Sequence, residues 1–218
     1  LRHGIVCRLK PAAPPRWTGS RRSYPECLAE LAVGDNLYVV DHLRDAYSDR
    51  AAQAGLLAGA HKYFTDKMPL NELHLGLIAI LFSGAPLILV RRHPLDVVCS
   101  NFGQHIRHGF NQSFELSTSA QHYAAMADLV AHYRREIDFI LLDIRYEDIV
   151  ADPEREIRRL LAFAGLPFEP RCLNFEESKR VARTISYAQV GEKLHDRSVF
   201  AYRNFRKHLG EVVDISSR

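Results

Sequence analysis

Two short apolar runs mark the middle of the chain. Leu87-Ile88-Leu89-Val90, bounded by Pro86 and Arg91, has the pattern of a strand buried on both faces of a parallel sheet, and Phe139 to Ile144 repeats it. Elsewhere the apolar positions fall three and four apart. From Tyr24 to about Ala58, Leu28, Leu31, Val33, Leu37, Val40, Leu43, Tyr47, Ala51 and Ala54 follow a helical period, and Gly34-Asp35 predicts a break into two helices. Lys62-Tyr63-Phe64-Thr65 reads as a short strand. A helix is predicted over Asn71 to about Phe82, with Leu73, Leu77, Ile78 and Leu81 on one face and Ser83-Gly84-Ala85-Pro86 closing it. Another should start near Pro94, because proline is pre-organised for the first helical position. Gly109 to Ser117 reads as a loop, and a long helix follows from about Thr118 to Glu136. Asp152-Pro153-Glu154 opens a further helix carrying Ile157, Leu160, Leu161 and Phe163. Alternating strand and helix predicts an α/β fold with right-handed crossovers.

The first 22 residues break this rhythm. Pro11, Pro14 and Pro15 sit among five arginines and one lysine with no apolar period, so 1–22 is expected to be an irregular basic arm and 23–218 the folded domain. The 218 residues are 47% hydrophobic and 25% charged, enough apolar material for one sizeable core. A formal net charge of +3 gives no footprint for nucleic acid. Cys7, Cys27, Cys99 and Cys172 have neither metal-ligand nor disulfide-framework spacing, which points to a reducing, cytoplasmic setting without metal. The longest apolar run, Leu75 to Phe82, is too short to cross a bilayer, and Leu1 to Lys10 does not read as a signal peptide.

Polar residues gather where the strands should end. Val90 is followed by Arg91-Arg92-His93 and then by the helix at Pro94. Open α/β sheets bind ligands outside their strands' carboxyl ends. A helix N-terminus there favours an anion, and Arg92 offers a planar fork suited to phosphate. Ser100, two turns along, can add a hydroxyl. The plainer alternative is that both arginines cap neighbouring carbonyls or face solvent. Thr65-Asp66-Lys67-Met68-Pro69-Leu70-Asn71 puts a lysine at the end of the short strand, where a mobile point charge can follow a transferring anion. Ile144-Arg145-Tyr146-Glu147-Asp148-Ile149 adds a third polar strand end.

In that order, Asp66-Lys67-Met68-Pro69-Leu70-Asn71, Arg92-His93-Pro94-Leu95-Asp96…Ser100, Arg145-Tyr146-Glu147-Asp148 and Arg183-Thr184-Ile185-Ser186-Tyr187 resemble the bacterial sulfotransferases related to protein-tyrosine sulfotransferase. Many of these follow a tetratricopeptide-repeat region. The likeness runs from about Tyr24 to Leu209. It implies a P-loop NTPase-like parallel sheet flanked by helices that moves a sulfuryl group from 3′-phosphoadenosine 5′-phosphosulfate (PAPS) to a hydroxyl, on a protein tyrosine or a small molecule. It further implies that Arg92 and Ser100 hold the 3′-phosphate and that Tyr146 lies near the nucleotide. Lys67 would stabilise the transferring group, and Ser186 would belong to the stretch closing over the nucleotide.

The chain departs from the family in lacking a loop like Pro-Arg-Ser-Gly-Thr-Thr between a first strand and helix, which would cradle the 5′-phosphosulfate. The sheet is therefore expected to lack its first strand and that loop, with very low transfer. The alternative function is a non-catalytic nucleotide-binding or interaction module. No general base stands out; His74, His93 and His105 qualify by residue type alone. Near the end, Ala201-Tyr202 stands where relatives place a basic residue before the aromatic. The acceptor is expected to meet the loop Gly103 to Ser117.

Overall fold

A computed structural model of the chain describes residues 4–9, 37–57, 63–104, 111–177, 194–210 and 212–215. Its sheet contains β1 (Gly4–Leu9), β2 (Phe64–Met68), β3 (Leu87–Arg91) and β4 (Leu141–Arg145), in the order β2-β1-β3-β4. β3 and β4 are parallel, with Leu87 opposite Leu141 and Arg91 opposite Arg145. β1 is antiparallel to both neighbours, placing Ile5 opposite Met68 and Gly4 opposite Val90. Strands β2, β3 and β4 therefore point the same way, and their carboxyl ends share one edge with Gly4.

The α/β class is as expected, but the sheet is mixed rather than wholly parallel. Gly4–Leu9, part of the stretch read as an arm, is a strand occupying the place between β2 and β3. Left open, those two strands would present facing rows of unpaired N–H and C=O groups. A segment reading Gly-Ile-Val-Cys-Arg-Leu has the β-branched content to fill that place, although prolines and arginines follow it closely. Its direction has a consequence. Leu9 pairs with Phe64, at the end of the sheet remote from the other strands' carboxyl ends, so β1 delivers no strand-to-helix turn to that edge.

Helices cover both faces. They are α1 (Leu37–Gln53), α2 (Leu75–Leu81), α3 (Pro94–Gly103), α4 (Leu116–Glu136), α5 (Tyr146–Ala151), α6 (Pro153–Phe163) and α7 (Val212–Ile215). On β3, Leu87 and Leu89 point to one face, where they pack with Leu75, Val130 and Tyr133. Ile88 points to the other, with Leu142, Ile144, Leu160 and Phe163. Burial on both faces explains the uninterrupted apolar run of this strand. A further cluster of Leu95, Val98, Ala120, Leu209 and Val212 ties α3 and α4 to the C-terminal segment.

Element boundaries moved where local capping decided them. The stretch expected to be one helix from Asn71 begins as a 3-10 turn, Asn71–His74, before α2. Asp152 caps α6 by accepting the Arg155 N–H at 3.1 Å, with Pro153 in the first helical position. The predicted loop before α4 contains a 3-10 turn, Asn111–Phe114. The helix expected between Tyr24 and Gly34 lies outside the described residues. Among the described residues, no helix is long and apolar enough to cross a membrane.

Where α2 crosses α4 there is no room for another carbon. A Cβ on Gly76 would lie 2.8 Å from Tyr133 Cε1. Gly76→Ala is expected to lower the unfolding free energy by about 1–3 kcal/mol, the range for overpacking, as read by urea denaturation.

Candidate functional site

At the turn from β3 into α3, two consecutive arginines take opposite paths. Arg91 lies across β4 and grips Asp143 with both arms, Nε to Oδ1 and Nη2 to Oδ2, each at 2.8 Å. That hydrogen bond raises the pKa of the Arg91 guanidinium further above its ordinary value. Arg92 turns inward, with 9% of its side chain exposed. Its Nη2 donates to the Ser198 carbonyl and stands 3.8 Å from Asp96 Oδ2. Its guanidinium carbon is 5.6 Å from the centroid of the Tyr146 ring. The plainer alternative is thus partly realised, since Arg92 does cap a carbonyl. Its Nε, however, is a buried donor with no acceptor among the described residues.

Asp96 organises this turn. Its side chain is 0% exposed, and it accepts the Phe200 N–H on Oδ2 and the Tyr202 N–H on Oδ1, both at 2.8 Å. These bonds hold Phe200 in the left-handed region at φ 53°, which a bulky residue adopts only under constraint. Tyr202 then stacks on the His93 ring, with centroids 4.4 Å apart and planes 9° from parallel. Glu147 accepts the His93 N–H at 2.7 Å, tying the start of α5 to the start of α3. Burial pushes the His93 imidazole towards its neutral form, with Asp96 and Glu147 opposing.

The sequence-derived candidates are only partly assembled. Arg92 and Tyr146 meet. Ser100 lies two turns up α3 on the same face as Arg92 and Asp96, accepting a hydrogen bond from Gln104 at 3.2 Å. Lys67 stands apart: it is exposed near the end of β2, and β1 separates it from β3. Through their shared partner Val6 its backbone is level with Ile88, four residues short of Arg92. That corresponds to about 9–10 Å across the sheet and about 13 Å along it. Ser186 and His105 lie outside the described residues, and His74 is exposed at the end of its 3-10 turn. Arg203, following Ala201-Tyr202, lies 4.7 Å from the Phe200 ring centroid. Among the described residues, no group of three or more His, Cys, Asp and Glu could hold a metal ion.

Sequence reasoning missed Asp96 as the organiser, although its spacing of four from Arg92 was a usable signal. Glu72 was missed too. It is only 2% exposed and borders a cavity of about 50 Å³ beside α3 and α4. Glu72 Oε2 has no hydrogen-bond partner among the described residues. Burial raises its carboxyl pKa, against the opposing pull of the Glu72 and Leu70 backbone N–H groups. Leu70, also on the cavity wall, has a positive φ of 72°.

Together these features define an α/β protein whose polar groups converge on the carboxyl edge of its sheet. A solved structure, "Sulfotransferase Domain from the Curacin Biosynthetic Pathway", shares this fold with a TM-score of 0.52 at 18% identity, over 88% of this chain and 76% of its own. Residues 12–170 match the sequence model of the sulfotransferase family, and the chain belongs to that family. A relative from Aquifex aeolicus (strain VF5), described as an uncharacterized protein, is 31% identical over 172 residues. That alignment spans 78% of this chain but only 22% of the relative's length.

Two outcomes follow from the buried acids. Asp96→Ala leaves the Arg92 guanidinium buried beside an empty place and frees two backbone donors. It is expected to cost about 3–5 kcal/mol, and hydrogen exchange at the Phe200 and Tyr202 amides should accelerate. Glu72 acts in the other direction. Its raised pKa lets the native state keep a proton that the unfolded chain releases near 4.5, so stability falls as pH rises through that window, and the loss persists above it. Glu72→Gln is therefore expected to stabilise the protein by about 1 kcal/mol at neutral pH and by nothing below about pH 4, measured by urea denaturation at both pH values.

Proposed function

We propose that the pocket formed by Arg92, Ser100 and Tyr146 binds the 3′-phosphate end of PAPS, and that the protein moves its sulfuryl group to a hydroxyl acceptor. The observation that carries this reading is the Nε of Arg92, which has no acceptor among the described residues. A charged donor, buried against Tyr146 and offset from full neutralisation by an Asp96 at 3.8 Å, is suited to one more anionic oxygen. Ser100, on the same face of α3, supplies a hydroxyl to the same anion. In the transfer, the acceptor oxygen bonds to sulfur as the bond from sulfur to the bridging phosphate oxygen breaks. The proton of the acceptor hydroxyl passes to solvent, and adenosine 3′,5′-bisphosphate departs. Lys67 is the cation assigned to the charge that develops at the bridging oxygen, with its long side chain spanning part of the gap across β1. Ser186 is assigned to the segment that closes over the nucleotide.

A specific observation favours a second reading. β1 runs antiparallel, so the centre of the sheet offers no strand-borne phosphate loop at the carboxyl edge. A chain that binds nucleotide without transferring sulfate would fit that arrangement. The 22% share of the Aquifex relative supports a module working within a longer protein, for which a tetratricopeptide-repeat region is one proposed neighbour.

Calorimetric titration with adenosine 3′,5′-bisphosphate tests the pocket. Ser100→Ala is expected to weaken binding about fivefold, the worth of one hydrogen bond. Arg92→Lys, which loses the planar fork, is expected to weaken it more than about tenfold. Absence of heat with the wild-type chain would refute the assignment. Transfer of labelled sulfate from PAPS then separates the two readings, with turnover supporting the enzyme and binding without turnover supporting the module.

A further inference from the structure

Arg92, Ser100 and Tyr146 do not line the cavity beside Glu72, yet its walls come from segments that follow β2 and β3. Leu70 and Glu72 lie just past β2, Val97 and Asn101 are in α3, and Ser119 and Met126 belong to α4. It therefore sits at the same edge of the sheet as the Arg92 turn. Three of its polar atoms are buried with no hydrogen-bond partner among the described residues: Glu72 Oε2, Asn101 Oδ1 and Ser119 Oγ. The ionised Glu72 carboxylate oxygen and the Asn101 amide oxygen can only accept a hydrogen bond, and the Ser119 hydroxyl can do so. Of the remaining wall, Pro69, Leu70, Val97 and Met126 are apolar, and Gln112, His122 and Tyr123 are polar.

We propose that this cavity is the acceptor subsite, and that it takes the primary ammonium group of a hydroxylated amine with Glu72 as its counter-ion. The inference rests on the sulfotransferase reading only in making this ligand the acceptor. A hydroxyl has one proton to donate, whereas an ammonium has three, matching three unpartnered acceptors. Water can donate twice but leaves the carboxylate's charge uncompensated in a buried site. Among the described residues, the groups that favour the charged form of Glu72 are the backbone N–H groups of Glu72 and Leu70, and no cationic side chain contributes. His122, which borders the same cavity, is pushed by burial towards its neutral form and so does not serve as the cation. The volume of about 50 Å³ suits an ammonium with about one or two methylenes, since about 10–15 Å³ of such space holds a water. The amine would enter first and leave the hydroxyl at the mouth, towards the edge where the sulfuryl donor is assigned. Left-handed Leu70 forms part of the wall, and its strain fits a site shaped for a ligand.

The test compares propylammonium, propan-1-ol and 3-aminopropan-1-ol by calorimetry and by carbon-13 NMR of the Glu72 carboxyl in the wild-type chain. Both amines are expected to bind at least about tenfold more tightly than the alcohol and to shift the Glu72 carboxyl resonance. Glu72→Gln should weaken amine binding at least about tenfold and Ser119→Ala about threefold. The proposal is overturned if amine and alcohol bind equally, if neither binds, or if the Glu72 resonance does not move. The resonance is read in wild-type protein, so the result does not depend on how either variant folds. Amine binding by a chain that binds no adenosine 3′,5′-bisphosphate would overturn the assignment as an acceptor subsite. Nucleotide binding without amine binding would overturn the cavity proposal and leave the nucleotide pocket standing.

Discussion

A carboxylate with no exposed surface, Asp96, joins three groups that are distant in the chain. Its Oδ2 faces the Arg92 guanidinium and accepts the Phe200 N–H, while its Oδ1 accepts the Tyr202 N–H. Two charges buried together are costly unless their remaining valences are satisfied, and here the backbone of the C-terminal segment contributes to satisfying them. The same contacts place Tyr202 over His93, while Glu147 secures the His93 backbone from the side of β4. The turn after β3 thus depends on a segment about a hundred residues later. Asp96 and Ser198 hold the Arg92 Nη2 in place, leaving an Nε with no acceptor among the described residues.

The centre of the sheet poses a different constraint. β2 and β3 run in the same direction with room between them for one strand, and β1 takes that place in the opposite sense. Backbone pairing is satisfied either way, because hydrogen-bond ladders form in both orientations. Function is less tolerant of direction, since a strand reversed in the sheet sends its following loop to the wrong edge. In either direction, β1 keeps Lys67 two strand positions away from the Arg92 turn.

Strain and unpaired polar groups concentrate at the carboxyl edge. Among the described residues, Leu70 and Phe200 are the non-glycine positions with positive φ, and both belong to this edge. Glu72, Asn101, Ser119 and Arg92 each keep a buried polar atom there without a partner among the described residues. A fold selected for stability alone would pair or remove such groups. Their grouping beside α3 is the pattern of an edge organised to receive ligands.

Much of the architecture was legible in local pattern. Leu87 to Val90 could be read as a strand buried on both faces because each of its residues must meet an apolar layer, and Pro94 and Asp152-Pro153 marked helix starts through their own backbone chemistry. The residue types at the strand ends, together with their order, were enough to place the chain in its family. Other features depend on partners brought together from a distance. Gly4–Leu9 became a strand because β2 and β3 supply its hydrogen bonds, which no window of neighbouring residues reveals. Asp96 is an ordinary first-turn acid until Phe200 and Tyr202 arrive from the far end of the chain. Glu72 reads as a helix-start residue, and only the packing of α3 and α4 around it turns it into a buried carboxyl at a cavity. Periodicity and capping are properties of adjacent residues and so are carried by sequence; burial, pairing and charge compensation belong to the folded chain.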